Sequence, residues 1–366
     1  MERKERGFFG KLLVFILSLL AFVGLAAMAL SVVDAYIDPN KLIWTSMFGL
    51  AFWEILFFNV LILLLLLLMK SRKAWIAVLA LIIAIPGFSK SYSRGHKATA
   101  DGSIRVMSYN VHNFKHIDET TDKEQFAHQV IEMVGELNPD ILCCQEFSGF
   151  KRGVTRQKCI DIFAEEAGFQ YVYYNTHNNY GGNVIFSKYP IEKVSEASDF
   201  AKEYTYGVMV SVDAGEKGKF HVANIHLLSY MITDSEIESL TTPQERQQYE
   251  MLGKTLLHKL NFAFQCRSEE FDKVLKGLQP VEGPVIVCGD FNEPPMSYNY
   301  RQMQKAGFVD TFTKVGHGIK PTYAGKLPLL RIDYVWANDG VTPLIFTRHR
   351  YKASDHYPII LDFKIQ

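Results

Sequence analysis

Residues 12–33, LLVFILSLLAFVGLAAMALSVV, run for 22 positions without a charged side chain. A helix of about 20 apolar residues crosses the hydrocarbon core of a bilayer, and no other feature limits the fold of this chain so strongly. Two more runs follow. Residues 42–69 carry only Glu54 and end in LILLLLLLM, and residues 74–88 (AWIAVLALIIAIPGF) are uncharged but short for a span. The first run by itself, with basic residues before it and small ones after, has the shape of a cleavable signal peptide. Its length and the two runs behind it favour an anchor. Residues 1–88 thus read as a membrane anchor of three transmembrane helices, at about 12–33, 46–69 and 74–88.

Basic flanks orient such helices. Arg3, Lys4, Arg6 and Lys11 precede the first, and Lys70, Arg72 and Lys73 separate the second from the third. The loop between the first two holds only Lys41. The N-terminus and the KSRK turn are therefore expected in the cytoplasm, and three crossings carry everything beyond about residue 90 to the extracytoplasmic side. Lys90, Arg94 and Lys97 pull mildly the other way. Glu54 and Asn59 admit two readings: a functional intramembrane pair, or a run longer than its span with Glu54 near the outer interface. The run's length favours the second.

Lys+Arg and Asp+Glu number 39 each, so overall charge selects no partner. Beyond residue 88 the chain is slightly acidic, without the strongly basic signature of many nucleic-acid binders. Cys143, Cys144 and Cys288 fall in apolar strand-like runs, where cysteine acts as a small hydrophobe. No C-x-x-C spacing points to zinc or redox work.

A polar linker, residues 89–103 (SKSYSRGHKATADGS), leads into a domain spanning 104–366. Strands are expected at 104–109, 140–144, 171–174, 183–187, 207–212, 220–227, 285–288, 332–337 and 359–363. Phe126, Val130, Val134 and Leu137 share one face of a helix over Lys123–Leu137, which Asn138-Pro139 ends. Many strands with few helices between them favour two packed sheets flanked by helices over a doubly wound single sheet. The segment 229–279 reads as mostly helical: a surface helix pair, or else a cap over the site or a membrane contact.

Several of these strands end in residues able to bind metal or move protons. RVMSYNVHNF ends its strand at Asn110, PDILCCQEF at Gln145-Glu146, and FHVANIHLLS at His226. VIVCGDFNEPP ends at Asp290 and Asn292, ahead of Pro294 and Pro295, which have no N–H to give a sheet. LLRIDYVWAN places Asp333 within a strand, and YKASDHYPII places Asp355 and His356 just before the last one. A single polar strand end is commonplace, but six carrying carboxylates, carboxamides and imidazoles suggest one site. A carboxylate such as Glu146 with amide and carboxylate neighbours suits Mg²⁺, whereas zinc gathers imidazoles and thiolates. A hard divalent metal with acid–base groups points to phosphoryl chemistry.

The ordered set SYN, QE, GGNVIFSKYPI, NIHL, GDFN, RIDY and SDH resembles the endonuclease/exonuclease/phosphatase superfamily, which includes DNase I, neutral sphingomyelinases and inositol-polyphosphate 5-phosphatases. The resemblance covers about residues 104–365. It implies a four-layered α/β sandwich (DNase I-like), here preceded by N-terminal transmembrane helices. It also implies roles. Glu146 is the principal metal ligand, helped by Asn110, with Asp355 on the metal side or just behind it. Asp290 and Asn292 contact the attacking water and the phosphate. Asp333 orients and charges His356, and His226 assists the leaving oxygen. The general base is Asp290 or the Asp333–His356 pair. His112, Asn113, His177 and Asn183 are lesser candidates for substrate contact.

The expectation is a multi-pass, membrane-anchored phosphoric ester hydrolase that uses Mg²⁺, or Mn²⁺ in its place. Its first-choice substrate is a membrane-associated, phospholipid-type phosphodiester, because the anchor puts the site within reach of lipid head groups. A surface nuclease acting on DNA or RNA comes second and a phosphomonoesterase third. The non-enzymatic reading, a tethered binding module without catalysis, is disfavoured by the completeness of the site. The implied partners are membrane lipids, through the N-terminal helices, and the phosphoester itself. No stable protein partner is inferred.

Overall fold

The computed structural model describes residues 7–95, 98–117, 121–174, 181–195, 206–240, 242, 246–325, 327, 329–351 and 353–366. The chain divides into two compact units. One comprises the chain up to Lys90 together with Pro294–Arg301, and the other comprises Ser91–Glu293 and Gln302–Gln366.

In the first unit, helix α1 (Phe8–Asp34) and the helical stretch Arg72–Ser91 are each long and apolar enough to cross a membrane, with mean hydropathies of 2.7 and 1.7. The middle run differs from expectation. It forms helix α2 (Ser46–Leu50) and helix α3 (Phe52–Leu68), bent by 63° at a break around Ala51. In α2, Gly49 lies so close to α1 that a Cβ there would stand 2.3 Å from Asp34 Oδ2. The third run, conversely, is longer than its uncharged core. Helix α4 (Trp75–Ser91) is preceded by a turn through Arg72 and Lys73 and continues past Pro86 to Lys90. Long basic side chains at helix ends keep their charges in water while their stems cover apolar surface, so counting uncharged residues underestimates such a helix. Glu54 and Asn59 do not act as a pair: Glu54 is exposed, while the buried Asn59 donates to Gly24 O (3.1 Å) and Ile55 O (2.9 Å).

The second unit is a sandwich. Its strands in chain order are β1 (Tyr92–Arg94), β2 (Ile104–Asn110), β3 (Ile141–Gln145), β4 (Tyr171–Tyr174), β5 (Val184–Ser187), β6 (Ile191–Ser195), β7 (Tyr206–Asp213), β8 (Lys219–His226), β9 (Val285–Asp290), β10 (Val309–Asp310), β11 (His317–Ile319), β12 (Asp333–Ala337), β13 (Val341–Arg348) and β14 (Ile359–Ile365). One six-stranded sheet has the order β13-β14-β2-β3-β5-β4, and the other β10-β12-β9-β8-β7-β6. Each is antiparallel except for one central parallel pair, β2 with β3 and β8 with β9. Alternation along the strands separates two cores. Val106, Cys143, Val210, Val222, Ile286, Cys288, Val335 and Leu361 fill the space between the sheets. Met107, Leu142, Cys144 and Phe186 face outward, onto helices α5 (Lys123–Leu137) and α6 (Arg156–Glu166) through Phe126, Val130, Val134, Ile160 and Phe163. The adjacent cysteines 143 and 144 thus belong to different layers. Helix α7 (Asp234–Ser239) and the 33-residue helix α8 (Arg246–Leu278) follow β8, and Phe271 of α8 meets Phe291, just beyond β9, at 6.3 Å. The layers are those of the expected four-layered α/β sandwich.

The boundaries of α5 agree with the sequence reading: Asp122 caps the N-terminus by accepting from Glu124 N, and Asn138 ends the helix in the left-handed region. At the site end a buried amide network ties the two sheets together. Gln145 Nε2 donates to Asn224 Oδ1 (2.7 Å) and Ser108 Oγ (3.0 Å), and Asn224 Nδ2 donates to Cys144 O (2.8 Å). Asn183, a candidate for substrate contact, belongs to this network instead, donating to Asn224 O at 2.8 Å.

Candidate active site

Strand register assembles the site. In the first sheet Asn110 is paired with Gln145, which puts Glu146 one residue beyond the end of β3. In the second, His226 is paired with Asp290 across the parallel strands, and Asp290 with Asp333 across the antiparallel ones. Asp333 is thus the first residue of β12, not an interior one, because β12 runs antiparallel to β9 and begins where β9 ends. Gly289 lets these strands approach: it has φ +139°, and a Cβ there would stand 1.8 Å from Ile225 O.

Asp290 is the hub. Its Oδ1 accepts from Asn292 N (2.9 Å) and its Oδ2 from Asn110 Nδ2 (3.0 Å). His356 Nε2 stands 3.5 Å from Oδ2 and His226 Nε2 3.7 Å from it. Asn110 Nδ2 also donates to Glu146 Oε1 at 3.1 Å, so one amide spans two carboxylates from different sheets. Asn113 Nδ2 donates to Glu146 Oε2 at 2.6 Å. Glu146 is held at φ +52°, a left-handed backbone for a residue with a side chain, of the kind that costs about 1–3 kcal/mol and gathers at functional sites. His226 Nε2 is buried without a hydrogen-bond partner among the described residues, and stands 3.7 Å from both Glu146 Oε1 and Asp290 Oδ2.

His356 is 4% exposed, and its Nδ1 lies 2.9 and 3.1 Å from the two oxygens of Asp333. Asp333 is itself held by its backbone N–H, which donates to Thr322 Oγ1 at 3.0 Å. Burial opposes the imidazolium, but Asp333, Asp290 and Asp355 outweigh it and hold the His356 pKa well above the ordinary value. Asp290 is pushed up to about 6, first by burial and further by Asp333, against the opposing pull of His356, His226 and the Asn292 N–H. Near neutral pH the geometry therefore favours a protonated His356 beside an ionised Asp290.

Six of the eight residues singled out in the sequence converge: Asn110, Glu146, His226, Asp290, Asp333 and His356. Asn292 is adjacent, but its Nδ2 donates to Leu227 O (3.0 Å) and so fastens the loop after β9 to the loop after β8. Asp355 flanks the group, with Oδ1 3.4 Å from His112 Nδ1. His177 lies outside the described residues. Asn113, a lesser candidate for substrate contact, holds Glu146. Ser354, the serine of the SDH motif, donates from its Oγ to Asn110 O at 2.9 Å, and Thr322 supports the site without any sequence signal beyond being a polar loop residue.

A buried set with metal-ligating geometry is Asp290, Asp333 and His356. The Nδ1–carboxylate contact in that set already engages Asp333 and one face of His356. Glu146 and Asp290, joined through Asn110, are the better fit for a hard cation, since they offer carboxylate oxygens outside the Asp333–His356 pair.

This fold and this end of the sandwich define a phosphoester hydrolase of the nuclease and phosphatase type. Residues 107–356 match the profile of the Endonuclease/Exonuclease/phosphatase family, and the chain belongs to that family. Residues 10–91 match a profile described as a domain of unknown function. The uncharacterized protein YbhP of Escherichia coli (strain K12) is 23% identical over 297 residues, covering 71% of this chain and 96% of that protein. Among solved structures, an endonuclease/exonuclease/phosphatase family protein from Bacteroides thetaiotaomicron superposes with a TM-score of 0.51 at 15% identity, covering 74% of this chain and 100% of that one. The human Nocturnin catalytic domain with bound sulfate gives 0.50 at 20% identity, covering 74% and 96%. These likenesses carry the fold. The family generally uses divalent metals.

Proposed function

We propose that this chain is a membrane-anchored, divalent-metal-dependent phosphodiesterase acting on a phospholipid-type substrate at a membrane surface. The reading rests above all on one combination: a cluster of Glu146, Asp290, Asp333, His226 and His356 at one end of the sandwich, in the same chain as helices long and apolar enough to span a bilayer. Glu146 and Asp290, spanned by Asn110, would hold Mg²⁺ or Mn²⁺, with Asp355 behind them. The ion would supply positive charge to the phosphoryl oxygens. Asp290, whose Oδ1 is held by the Asn292 N–H, would accept the proton of the attacking water. The protonated His356, oriented by Asp333, would face the phosphate as a fixed cation. His226 would give a proton to the departing oxygen as the P–O bond breaks. Asn292 would keep the Asp290 loop in place beside the phosphate.

Full-length protein in detergent micelles with Mg²⁺ should release head groups from mixed-micelle phosphodiester lipids faster than it cleaves DNA or RNA or dephosphorylates monoesters. Cleavage of nucleic acid without lipid hydrolysis would replace this reading with the nuclease one.

The proposal also puts the N-terminus in the cytoplasm and the catalytic unit on the extracytoplasmic side. That needs the bent helix pair 43–68 to count as one crossing, because two crossings would return the chain to the starting side. Protease added outside cells, with any outer membrane permeabilised, should digest the catalytic unit. Protection until the inner membrane is lysed would mean that the bent pair re-enters the bilayer.

A further inference from the structure

We infer that Arg267, in the middle of helix α8, is a positioning residue for the hydrolytic site, acting through Glu293 and Leu228 on the loops that carry Asp290 and His226. The inference rests on the hydrolase reading above. In the sequence this helix reads as a surface element, a cap or a membrane contact. Its middle turns instead face the loops behind the site.

Arg267 and Glu293 are 0% and 4% exposed. Arg267 Nε donates to Glu293 Oε1 at 2.6 Å and its Nη1 to Leu228 O at 2.9 Å. The guanidinium lies over the Tyr230 ring, 4.1 Å from its centroid. One turn on, Glu270 Oε2 accepts from Leu228 N at 3.0 Å, so the helix grips both backbone polar groups of Leu228. Glu293 is further held at its carbonyl by Tyr334 Oη (2.6 Å).

Each gripped residue is next to one that touches the site. Leu228 follows Leu227, whose N–H donates to Asp290 O (2.9 Å) and whose carbonyl accepts from Asn292 Nδ2. Glu293 follows Asn292, whose N–H donates to Asp290 Oδ1. The guanidinium thus joins the two loops from behind, while Asn292 joins them from the site side. A buried ion pair adds little stability over apolar packing of the same volume, because removing two charges from water is costly. What a guanidinium adds is direction: its planar fork serves a carboxylate and a carbonyl at once at fixed angles. A lysine ammonium reaches only one point. The buried pair therefore sets the geometry of Asp290 and His226.

The test uses the full-length protein in detergent, with Arg267→Met, Arg267→Lys and Glu293→Gln, and Arg105→Met as a reference. Arg105 bonds Asp362 at 2.7 Å near the other end of β2, so losing that pair perturbs stability away from the site. Turnover of bis(p-nitrophenyl) phosphate with Mn²⁺, melting temperature, and hydrogen–deuterium exchange at the Leu227, Leu228 and Asn292 amides are read on each variant. Arg267→Met is expected to lower kcat roughly 100-fold, the scale of an ångström-sized misplacement, with KM within about threefold. Exchange at the three amides should quicken by at least about tenfold. Arg267→Lys should regain most of the lost melting temperature but only part of kcat, and Arg105→Met should lower melting temperature alone. If Arg267→Met does not fold, Glu293→Gln, which keeps size and an acceptor, carries the same readouts with smaller shifts. Unchanged exchange at those amides, or a loss of kcat no larger than that of Arg105→Met at equal destabilisation, overturns the inference. If the wild-type protein leaves the bis-ester intact, the hydrolase reading fails, and the exchange readout still decides whether Arg267 holds the two loops.

Discussion

Asp333→Asn is expected to lower turnover roughly 10²- to 10⁴-fold, by analogy with orienting carboxylates in other hydrolases, while the protein still folds. The substitution keeps size and one acceptor for His356 Nδ1, now 2.9 Å from Asp333 Oδ2, but removes the charge. Without it the imidazolium loses its principal stabiliser, and the ring is no longer fixed as a cation toward the phosphate. KM should move far less, because the lost interaction strengthens as charge develops in the transition state. Stability provides a second readout. The pKa of His356 is raised from 6.5 in the folded state. Its contribution to stability is therefore full below about 6.5 and lost as pH climbs through the folded value. In EDTA, the melting temperature of Asp333→Asn should fall furthest below wild type at acid to neutral pH, with the gap narrowing at alkaline pH. A destabilised variant with wild-type turnover would reduce Asp333 to a structural residue.

The second large effect is expected from the metal. Excess EDTA should abolish hydrolysis and Mn²⁺ or Mg²⁺ restore it. Glu146→Ala should cost at least roughly 10²- to 10³-fold in turnover, the scale on which loss of one electrostatic stabiliser acts. Calorimetric titration with Mn²⁺ gives a measure independent of turnover: the wild-type isotherm should flatten in Glu146→Ala. Alanine also leaves Asn113 Nδ2 and Asn110 Nδ2 without the Glu146 oxygens they now bond, so Glu146→Gln serves as the milder companion. Full activity in excess chelator would exclude a metal-dependent mechanism.

Some elements were hard to read from sequence for identifiable reasons. Strand β13 contains Pro343, which argues against a strand when pairing is unknown. It lies at the edge of its sheet with a register shift between Pro343 and Ile345, where a missing N–H costs no ladder bond. Helix α6 buries only Cys159, Ile160, Phe163 and Ala164 among charged neighbours, too narrow a stripe to stand out. The composition of the second and third apolar runs shows neither the bend near Ala51 nor the helical turns that Arg72 and Lys90 add at the ends of the last run.

The sequence by itself determined what depends on near neighbours along the chain. The periodicity of Phe126, Val130 and Val134 placed helix α5, Pro294 and Pro295 closed the strand that ends at Asp290, and the ordered motifs named the family and most of the site. Periodicity reports which face of a segment is apolar, but not which distant segment covers the other face. Tertiary structure decided that Asn110 bridges Glu146 and Asp290, 36 and 180 residues away, through strand register. It also decided between the two readings open for Asn113 and Asn183, making them supports for Glu146 and the inter-sheet network. Arg267 had no legible role until packing buried it against Glu293. A buried polar group must find a partner, and for a side chain whose partner lies far along the chain, only the folded arrangement determines which one it finds.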